Sequence, residues 1–326
     1  MTRLVPSSLK NLCKPVLGGL CLGLVLWAAP AWASNGRIPI DAPGTVISAP
    51  GSYYLVADLD AGGTGGDAID VEASHVTIDL NGHTITADSG ADGVSTALAS
   101  GPVENVRITG GRINGGLRGT YLTGVTACRV DHVTFTGQAY YPIGVIAPTG
   151  ATAMAQIDHN IILASGANSG ISGSGIQGGL MTDNVVKGTA RAIFLNNCYE
   201  IQIARNNCSQ NTSNGIALVN CDHCTLRGNT CEGNGANAIV LNGCHDVMVR
   251  DNLCSQNTSS TGADGIALYS SNDNTVDWNL ADGNSTYGLQ IDSNSSGNRY
   301  SFNVALNNGS GGYSIAANNT DAGHNH

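Results

Sequence analysis

Three segments in the middle of the chain are copies of one another. Cysteine recurs about every 23 residues at Cys198, Cys221 and Cys244, and an asparagine recurs with the same spacing in each copy. Self-similarity with a period of about 20 to 50 residues is typical of repeat architectures, in which each unit packs only against its neighbours. The chain is therefore predicted to be a solenoid.

Within each copy, apolar residues occupy every second position. Ile216 and Leu218 flank Ala217, and Ile239 and Leu241 flank Val240. A period of two predicts short β-strands with one buried face, and the Asn-, Gly- and Ser-rich segments between them predict turns. Strands this short bury a core only by stacking, coil on coil, about 4.8 Å apart. A leucine-rich repeat has a similar period, but its L-x-x-L-x-L-x-x-N consensus is missing.

One asparagine column follows the repeat along the chain. Asparagine tolerates the left-handed backbone of a tight bend, and stacked side-chain amides can hydrogen-bond to one another. The spacing predicts such a ladder at Asn160, Asn184, Asn206, Asn229, Asn252, Asn279 and Asn303.

The G-I-x-L, V-x-I/V and N-x-C segments of these copies carry a family resemblance. The chain resembles the right-handed parallel β-helix (pectin-lyase-like) superfamily, and within it the short-repeat group of NosD-like and carbohydrate-binding, sugar-hydrolase proteins. The resemblance covers the chain from about Asp67 onward and implies an all-β, single-stranded right-handed parallel β-helix. These families include lyases, hydrolases, epimerases and proteins without known catalysis.

The coil openings set the number of coils. We predict roughly eleven coils with three short strands each, opening at Asp67, Asp92, Arg118, Pro142, Gly170, Ala192, Gly215, Ala238, Gly265, Gly288 and Gly312. Irregular spacing predicts loop insertions at Gln138–Thr152 and Thr258–Asp264, and insertions in a solenoid usually lie on the binding face.

The predicted domain boundaries divide the chain into four parts. Residues 1–33 are predicted to be a signal peptide, with a basic start, an apolar run and the small-x-small site Ala31-Trp32-Ala33. A membrane anchor is the alternative, but the apolar run is short for a bilayer. Residues 34–66 are predicted to form an N-terminal cap, residues 67–317 the β-helix, and residues 318–326 a polar tail that frays.

The net charge of the chain limits the partners that it can bind. The leader holds three of the 14 Lys and Arg and none of the 24 Asp and Glu. The exported chain is therefore strongly acidic, which argues against nucleic acid as a partner. No later segment is long and apolar enough to predict a membrane span. We expect a secreted, periplasmic or cell-surface protein, and the sequence does not specify its oligomeric state.

Eight cysteines follow the leader, which raises the question of disulfides in an exported protein. Cysteines stacked in register have parallel Cβ vectors and a separation near the rung spacing, longer than the usual disulfide range. We predict buried thiols that pack as small apolar groups, with one or two distorted disulfides as the alternative. The stretch Cys221-Asp222-His223-Cys224 offers zinc or copper ligands. Cys224, however, occupies a core position and His223 a turn position, so we predict no metal site.

Alignment on the asparagine ladder places three polar residues on successive coils. His159, Asp183 and Arg205 share one column, and Asp158 precedes His159. A histidine beside a carboxylate and a cation could act in general acid–base catalysis on a sugar. Such a column could equally be a solvated ladder of alternating charges. The resemblance implies a Lys or Arg base in polysaccharide lyases, which adds Lys187 to the catalytic candidates Asp158, His159, Asp183 and Arg205.

A second polar patch lies at the first coil openings. Asp67 and Asp92 are equivalent positions, and Asp70 and Glu72 project from the same strand. Stacked carboxylates could bind Ca²⁺ or act as the acid and base of a glycosidase. The plainer interpretation is that Asp before Gly or Ala is turn chemistry. Calcium is the one cofactor that the sequence leaves open.

Two functions from different classes remain. The first is an exported protein that binds and cleaves a polysaccharide, with lyase chemistry placed before hydrolysis, through the flank that carries Tyr140, Tyr141 and Arg191 as substrate-binding residues. The second is a non-catalytic structural, adhesive or NosD-like maturation protein, which the bland outward residues Phe194, Ala217, Val240 and Ala267 favour. The sequence does not decide whether the chain is an enzyme.

Overall fold

The computed structural model describes residues 36–97, 99–150, 153–164 and 166–326. The predicted signal peptide lies outside these residues. Residues 36–326 form one compact unit. No helix within the described residues is long and apolar enough to cross a membrane.

Within the described residues, the regular elements are strands of two to ten residues, in keeping with the period-two alternation. In chain order they are β1 (Ile38–Ile40), β2 (Thr45–Ile47), β3 (Gly51–Leu55), β4 (Leu59–Asp60), β5 (Ile69–Val71), β6 (Val76–Asp79), β7 (Thr84–Ala87), β8 (Asp92–Ser95), β9 (Val106–Gly115), β10 (Arg118–Thr123), β11 (Ala127–Thr136), β12 (Tyr141–Ile146), β13 (Met154–Asp158), β14 (Ile161–Leu163), β15 (Ser169–Ser174), β16 (Gln177–Thr182), β17 (Val185–Lys187), β18 (Arg191–Asn196), β19 (Tyr199–Ala204), β20 (Ile216–Val219), β21 (Thr225–Arg227), β22 (Thr230–Glu232), β23 (Ile239–Asn242), β24 (Met248–Arg250), β25 (Leu253–Ser255), β26 (Ile266–Tyr269), β27 (Thr275–Asp277), β28 (Leu280–Asp282), β29 (Tyr287–Ile291), β30 (Arg299–Ser301), β31 (Val304–Leu306), β32 (Gly311–Ile315) and β33 (Thr320–Asp321).

The strands stack into three parallel sheets of 17, 12 and 4 strands. Each coil gives one strand to the twelve-stranded sheet, which runs β2-β5-β8-β10-β12-β15-β18-β20-β23-β26-β29-β32. The eleven strands from β5 onward start at or beside the eleven predicted coil openings, and β2 adds one from the segment predicted as a cap. The prediction of an all-β parallel solenoid of about eleven coils is confirmed.

The core lies inside the coils and consists of columns of aliphatic side chains. Along the twelve-stranded sheet, Ile143 pairs with Ile171, and the column continues through Ile193, Ile216, Ile239 and Ile266. These isoleucines are at most 1% exposed. Burial of this apolar surface, repeated coil by coil, is the main term that stabilises the fold.

The asparagine ladder closes one turn of each coil from Asn160 onward. In each step a buried asparagine side chain accepts hydrogen bonds from the backbone and side-chain nitrogens of the asparagine one coil earlier, as Asn229 does from Asn206 at 3.0 Å each. The residue before each rung has a left-handed backbone, with φ of 57° at His159, 58° at Asp183 and 55° at Arg205. The ladder thus fixes where the neighbouring polar side chains project.

Both ends of the described chain belong to the coils. Strand β1 pairs with β3, and β3 pairs with β6, so residues 36–66 supply the first strands of the sheets. The polar tail predicted to fray instead continues the last coil. Strand β33 pairs with β30, and Asn319 and Asn325 extend two asparagine columns. Side-chain amides that bond to the previous coil hold this segment although it is short of apolar residues.

Candidate functional site

The outer face of the twelve-stranded sheet carries two neighbouring columns of side chains. The first column contains Asp92, Arg118 and Tyr141 on successive coils, and it reaches Arg191 on β18, which pairs with Ser169. The second column runs Ser95, Tyr121, Gly144, Ser172 and Phe194. Strand register therefore brings residues far apart in sequence onto one surface.

Two arginine–aromatic pairs stand at the two ends of this surface. The guanidinium of Arg118 lies 3.5 Å from the centroid of the Tyr121 ring, and that of Arg191 lies 4.0 Å from the centroid of the Phe194 ring. Arg118 also donates to Asp92 at 2.8 Å. Arg191 bonds to the side-chain oxygen of Asn168 and forms no ion pair with any carboxylate of the described residues. Arg191 is thus a cation on this face without a carboxylate partner among the described residues.

Between the two pairs the surface sinks into a depression of about 200 Å³. Its floor is low because Gly144 and Ser172 occupy the two rungs between the large rings of Tyr121 and Phe194. A Cβ on Gly144 would lie 3.4 Å from the Tyr121 ring and 3.5 Å from the Tyr141 ring, so even a methyl group would fill part of the space. We call this depression, with its walls Tyr121, Tyr141 and Phe194, the groove.

The predicted substrate-binding residues meet beside the groove. The rings of Tyr140 and Tyr141 are 4.1 Å apart, and Tyr140 is 43% exposed. The carbonyl of Tyr140 accepts from the backbone of Asn168, whose side chain bonds to Arg191. Burial, with the neighbouring Tyr140 hydroxyl, raises the pKa of Tyr141. Tyr140, Tyr141 and Arg191 therefore form one connected cluster.

Carboxylates occupy the same face closer to the N-terminus. Asp67 accepts from the backbone nitrogen of Asp92 at 2.7 Å. Asp70 is 7% exposed, and its Oδ1 has no hydrogen-bond partner among the described residues. Burial, followed by the charge of Asp67, raises the pKa of Asp70 to about 6. Within the part of the chain that the structure describes, no three His, Cys, Asp or Glu side chains are grouped to hold a metal ion.

The raised pKa of Asp70 predicts a pH dependence. The folded state holds this proton more tightly than the unfolded chain, whose carboxyl titrates near 3.8. The stability that this residue contributes is therefore present below about pH 4 and lost as the pH rises through about 6. Asp70→Asn should stabilise the protein at pH 7.5 by about 1 kcal/mol, a value discounted for solvent screening, and leave it unchanged near pH 3.5. Urea unfolding at both pH values measures this, and equal differences at the two would contradict it.

The catalytic candidates Asp158 and His159 lie on another edge of the β-helix. His159 Nδ1 is 3.1 Å from Asp158, and the parallel ring of His132 lies 5.0 Å away. Arg129 bridges Asp158 and Asp131 at 3.0 and 3.1 Å. Burial works to raise the pKa of Asp131, but hydrogen bonds from Arg107, His132 and Thr109 overcome it and lower the pKa to about 2. These groups pair with one another, as in a structural ion-pair network, but Asp158 Oδ1 and Arg129 Nε make no hydrogen bond with the described residues.

The remaining catalytic candidates are only partly brought together. Arg205 forms a bidentate pair with Asp183 at 2.8 and 2.6 Å, which lowers the pKa of Asp183. Both follow His159 in the same column of left-handed residues. Lys187 ends β17, where it pairs with Leu163 of β14 beyond the asparagine bend. It makes no ion pair with other described residues and lies on a different strand from the histidine.

Sequence reasoning missed Arg118 and Tyr121 and treated Phe194 as a bland outward residue. The structure shows why Phe194 matters, since its ring carries Arg191 and forms one wall of the groove. The available signal was the repeated Arg-x-x-aromatic spacing of Arg118 with Tyr121 and of Arg191 with Phe194. Residues three apart in a regular strand point to opposite faces, so this spacing alone does not predict that the two side chains stack.

Solved structures share the fold with little sequence similarity. The A-module of mannuronan C-5 epimerase AlgE6 from Azotobacter vinelandii is 13% identical, with a TM-score of 0.51 over 89% of this chain and 92% of that one. A double mutant of the periplasmic alginate epimerase AlgG is 15% identical, with a TM-score of 0.59 over 85% and 84%. A DFA-IIIase from Arthrobacter chlorophenolicus is 14% identical, with a TM-score of 0.55 over 76% and 69%. Identity this low shows the fold alone.

Sequence comparison with curated proteins returns no match. The model of the family described as periplasmic copper-binding protein (NosD) matches residues 153–325, which is more than half of the chain. This protein therefore belongs to the NosD family of right-handed parallel β-helix proteins.

Proposed function

We propose that this chain is an exported β-helix protein that binds a polysaccharide along the groove of the twelve-stranded sheet. The observation that carries the proposal is the pair of arginine-backed aromatic rings, Tyr121 and Phe194, on either side of a depression floored by Gly144. The predicted substrate-binding residues Tyr140, Tyr141 and Arg191 border the same depression.

The shape and chemistry of the groove suit one sugar ring of a longer chain. Its volume of about 200 Å³ is below the range of about 300–1,000 Å³ typical of sites that enclose a drug-sized ligand. Aromatic rings give a sugar an apolar surface, and the Tyr141 hydroxyl, Ser172 and Asn196 offer hydrogen bonds. A parallel sheet repeats its strand positions on each successive coil, so neighbouring sugars of the chain can follow the direction in which the coils stack.

The comparisons support a polysaccharide as the ligand and a periplasmic or extracellular location, but they establish neither. The structural neighbours include epimerases of mannuronan and alginate, and both the family and AlgG are described as periplasmic. We therefore place this chain in the periplasm or outside the cell, in keeping with its predicted leader.

We extend the proposal to cleavage of the bound polysaccharide. Elimination by a lyase is preferred to hydrolysis. A lyase needs a cation to neutralise a sugar carboxylate and a base beside it. At the groove, Arg191 would supply the cation, and the Tyr141 hydroxyl, whose raised pKa keeps it protonated, would act as the proton donor rather than the base. Asp158, His159, Asp183, Lys187 and Arg205 would supply a base and a cation from the other edge. Asp70, with its raised pKa, is the acid that hydrolysis would use.

Arg191→Gln is expected to weaken binding of an acidic polysaccharide by about 10-fold or more. The reason is the loss of a charge-assisted hydrogen bond, worth about 1.5–3 kcal/mol. Calorimetric titration against a panel of uronic-acid and neutral oligosaccharides measures this. Arg299→Gln is the matched control, because it removes the same charge from an exposed position on another sheet. Equal losses in both variants would indicate a general charge effect and reject the groove.

The same proteins test cleavage. Absorbance at the wavelength of unsaturated uronates reports elimination, and release of reducing sugar without that absorbance reports hydrolysis. Tyr141→Phe and His159→Ala separate the two edges, since activity lost only in Tyr141→Phe places chemistry at the groove. Binding with neither product leaves a non-catalytic sugar-binding protein.

A further inference from the structure

Two arginines lie side by side on the outer face of the 17-stranded sheet. Arg227 ends β21 and Arg250 ends β24, and strand register places them opposite each other on successive coils, about 4.8 Å apart. Like charges that face each other across neighbouring strands repel. The chain carries 14 Lys and Arg against 24 Asp and Glu, so two adjacent cations do not follow from its composition.

A single carboxylate serves both arginines. Asp251 Oδ2 lies 3.1 Å from Nε of Arg227 and 3.3 Å from Nε of Arg250. The first contact is a hydrogen bond, whereas the buried Nε of Arg250 makes none with the described residues. Asp277, one coil further in the same column, accepts from the Ser301 hydroxyl at 2.6 Å and forms no ion pair with Arg250 within the described part of the chain. The two arginines therefore keep one positive charge that Asp251 does not neutralise.

Another arginine of the same sheet shows what a fully used guanidinium looks like. Arg107 donates to both oxygens of Asp131, from Nε at 2.8 Å and from Nη2 at 2.9 Å. Arg227 and Arg250 approach Asp251 only through Nε, and their four Nη nitrogens make no hydrogen bond with the residues that the structure describes. The Nη groups of two neighbouring guanidiniums are thus left to donate to an anion.

Arg227 and Arg250 form one side of a pocket of about 340 Å³. Its floor is an outward column in register, which contains Gln202, Thr225 and Met248 on successive coils. The amide of Gln202 and the hydroxyl of Thr225 have no side-chain hydrogen bond to other described residues, so they can bind further oxygens of a ligand. Met248 is 40% exposed and adds an apolar surface beside the two cations.

The opposite side of the pocket carries His223 and Glu200, whose carboxylate is the acidic group of the lining. Glu200 lies four strand positions before Ala204, the register partner of Arg227. At about 3.3 Å per residue this separation is about 13 Å, which exceeds the screening length of about 8 Å at physiological salt. The carboxylate of Glu200 therefore opposes an anion at the arginines only weakly.

The spacing of the two arginines suits one tetrahedral oxyanion. Charge-assisted hydrogen bonds from nitrogen to oxygen are about 2.8 Å long, so donors on coils about 4.8 Å apart can reach two oxygens of the same ion. A planar carboxylate is matched by one guanidinium in its own plane, whereas a tetrahedral ion keeps oxygens for the second guanidinium and for Thr225. We propose that Arg227 and Arg250 bind a sulfate or phosphate group, either as the free ion or as a monoester whose organic part lies on Met248.

Calorimetric titration at constant ionic strength tests this site with inorganic phosphate, sulfate, glucose 6-phosphate and glucose 6-sulfate. Wild type should bind one ion per chain, and acetate should bind at least about 10-fold more weakly. Arg250→Gln should weaken binding at least about 10-fold, because it removes charge-assisted hydrogen bonds. Arg299→Gln is the matched control, since it removes the same charge from an exposed position of the same sheet and should bind like wild type. Tighter binding of the esters assigns an ester, and equal binding assigns the free ion.

A second variant separates a binding site from a structural ion pair. Asp251→Asn removes the carboxylate that competes with the ligand, so it should tighten anion binding about threefold. Asp41→Asn removes an equal charge from an exposed position far along the chain and should leave binding unchanged. Circular dichroism checks that each variant is folded.

The proposal is overturned if wild type binds none of the four anions, if acetate binds as tightly as they do, if Arg299→Gln loses as much as Arg250→Gln, or if Asp251→Asn brings no gain. The pocket lies on the 17-stranded sheet and the groove on the twelve-stranded sheet. Failure of this site and failure of the proposed function are therefore separate results.

Discussion

Replacing Asn229 with alanine is expected to lower the free energy of unfolding by about 4 kcal/mol. The Asn229 side chain accepts from the backbone and side-chain nitrogens of Asn206 and donates to the Ile203 carbonyl and to Asn252, at 2.9–3.0 Å. The alanine variant would leave donors on Asn206 and the Ile203 carbonyl buried without partners. Each such group costs about 1–3 kcal/mol, and the lost side-chain volume adds a cavity term.

Urea unfolding followed by circular dichroism measures this effect. Asn242→Ala is the control, because Asn242 ends strand β23 on the next coil, is exposed and has no left-handed backbone. It should change stability by less than about 0.5 kcal/mol. Similar losses of unfolding free energy in the two variants would mean that the asparagine ladder is a consequence of the fold and does not stabilise it.

This ladder is also the part of the structure that the sequence predicts best. Its residues recur at a fixed period, and a buried amide has few alternatives that satisfy both its own groups and the bend. Its fixed register is why the column His159, Asp183 and Arg205 could be predicted from alignment alone. The eleven coil openings follow from the same periodicity.

The groove could not be derived in the same way. Its walls depend on the register of coils of unequal length and on side-chain rotamers that stack Arg118 and Arg191 on rings. Neither is periodic. The segment predicted as an insertion, Gln138–Thr152, instead contains strand β12 (Tyr141–Ile146).

Gly144→Leu is expected to weaken polysaccharide binding by about 30-fold or more without unfolding the protein. The backbone at Gly144 lies in strand β12 without a positive φ, so a side chain is sterically allowed there. A Cβ meets only ordinary contacts at 3.4–3.7 Å, while the rest of the leucine would project into the space between Tyr121 and Tyr141. Excluding one sugar ring from a central pocket should cost about 2 kcal/mol or more.

Val240→Leu is the matched control for this filled pocket. Val240 belongs to the same outward column, two coils beyond Phe194, so the variant adds apolar bulk to the same face outside the groove. Calorimetric titration with the oligosaccharide that binds wild type most tightly compares the two. If Gly144→Leu and Arg191→Gln both weaken binding while Val240→Leu does not, sugar recognition depends on the shape and the charge of this one depression. If Gly144→Leu binds like wild type, the sugar lies elsewhere, and the exposed edge with Asp183 and Arg205 becomes the surface to test.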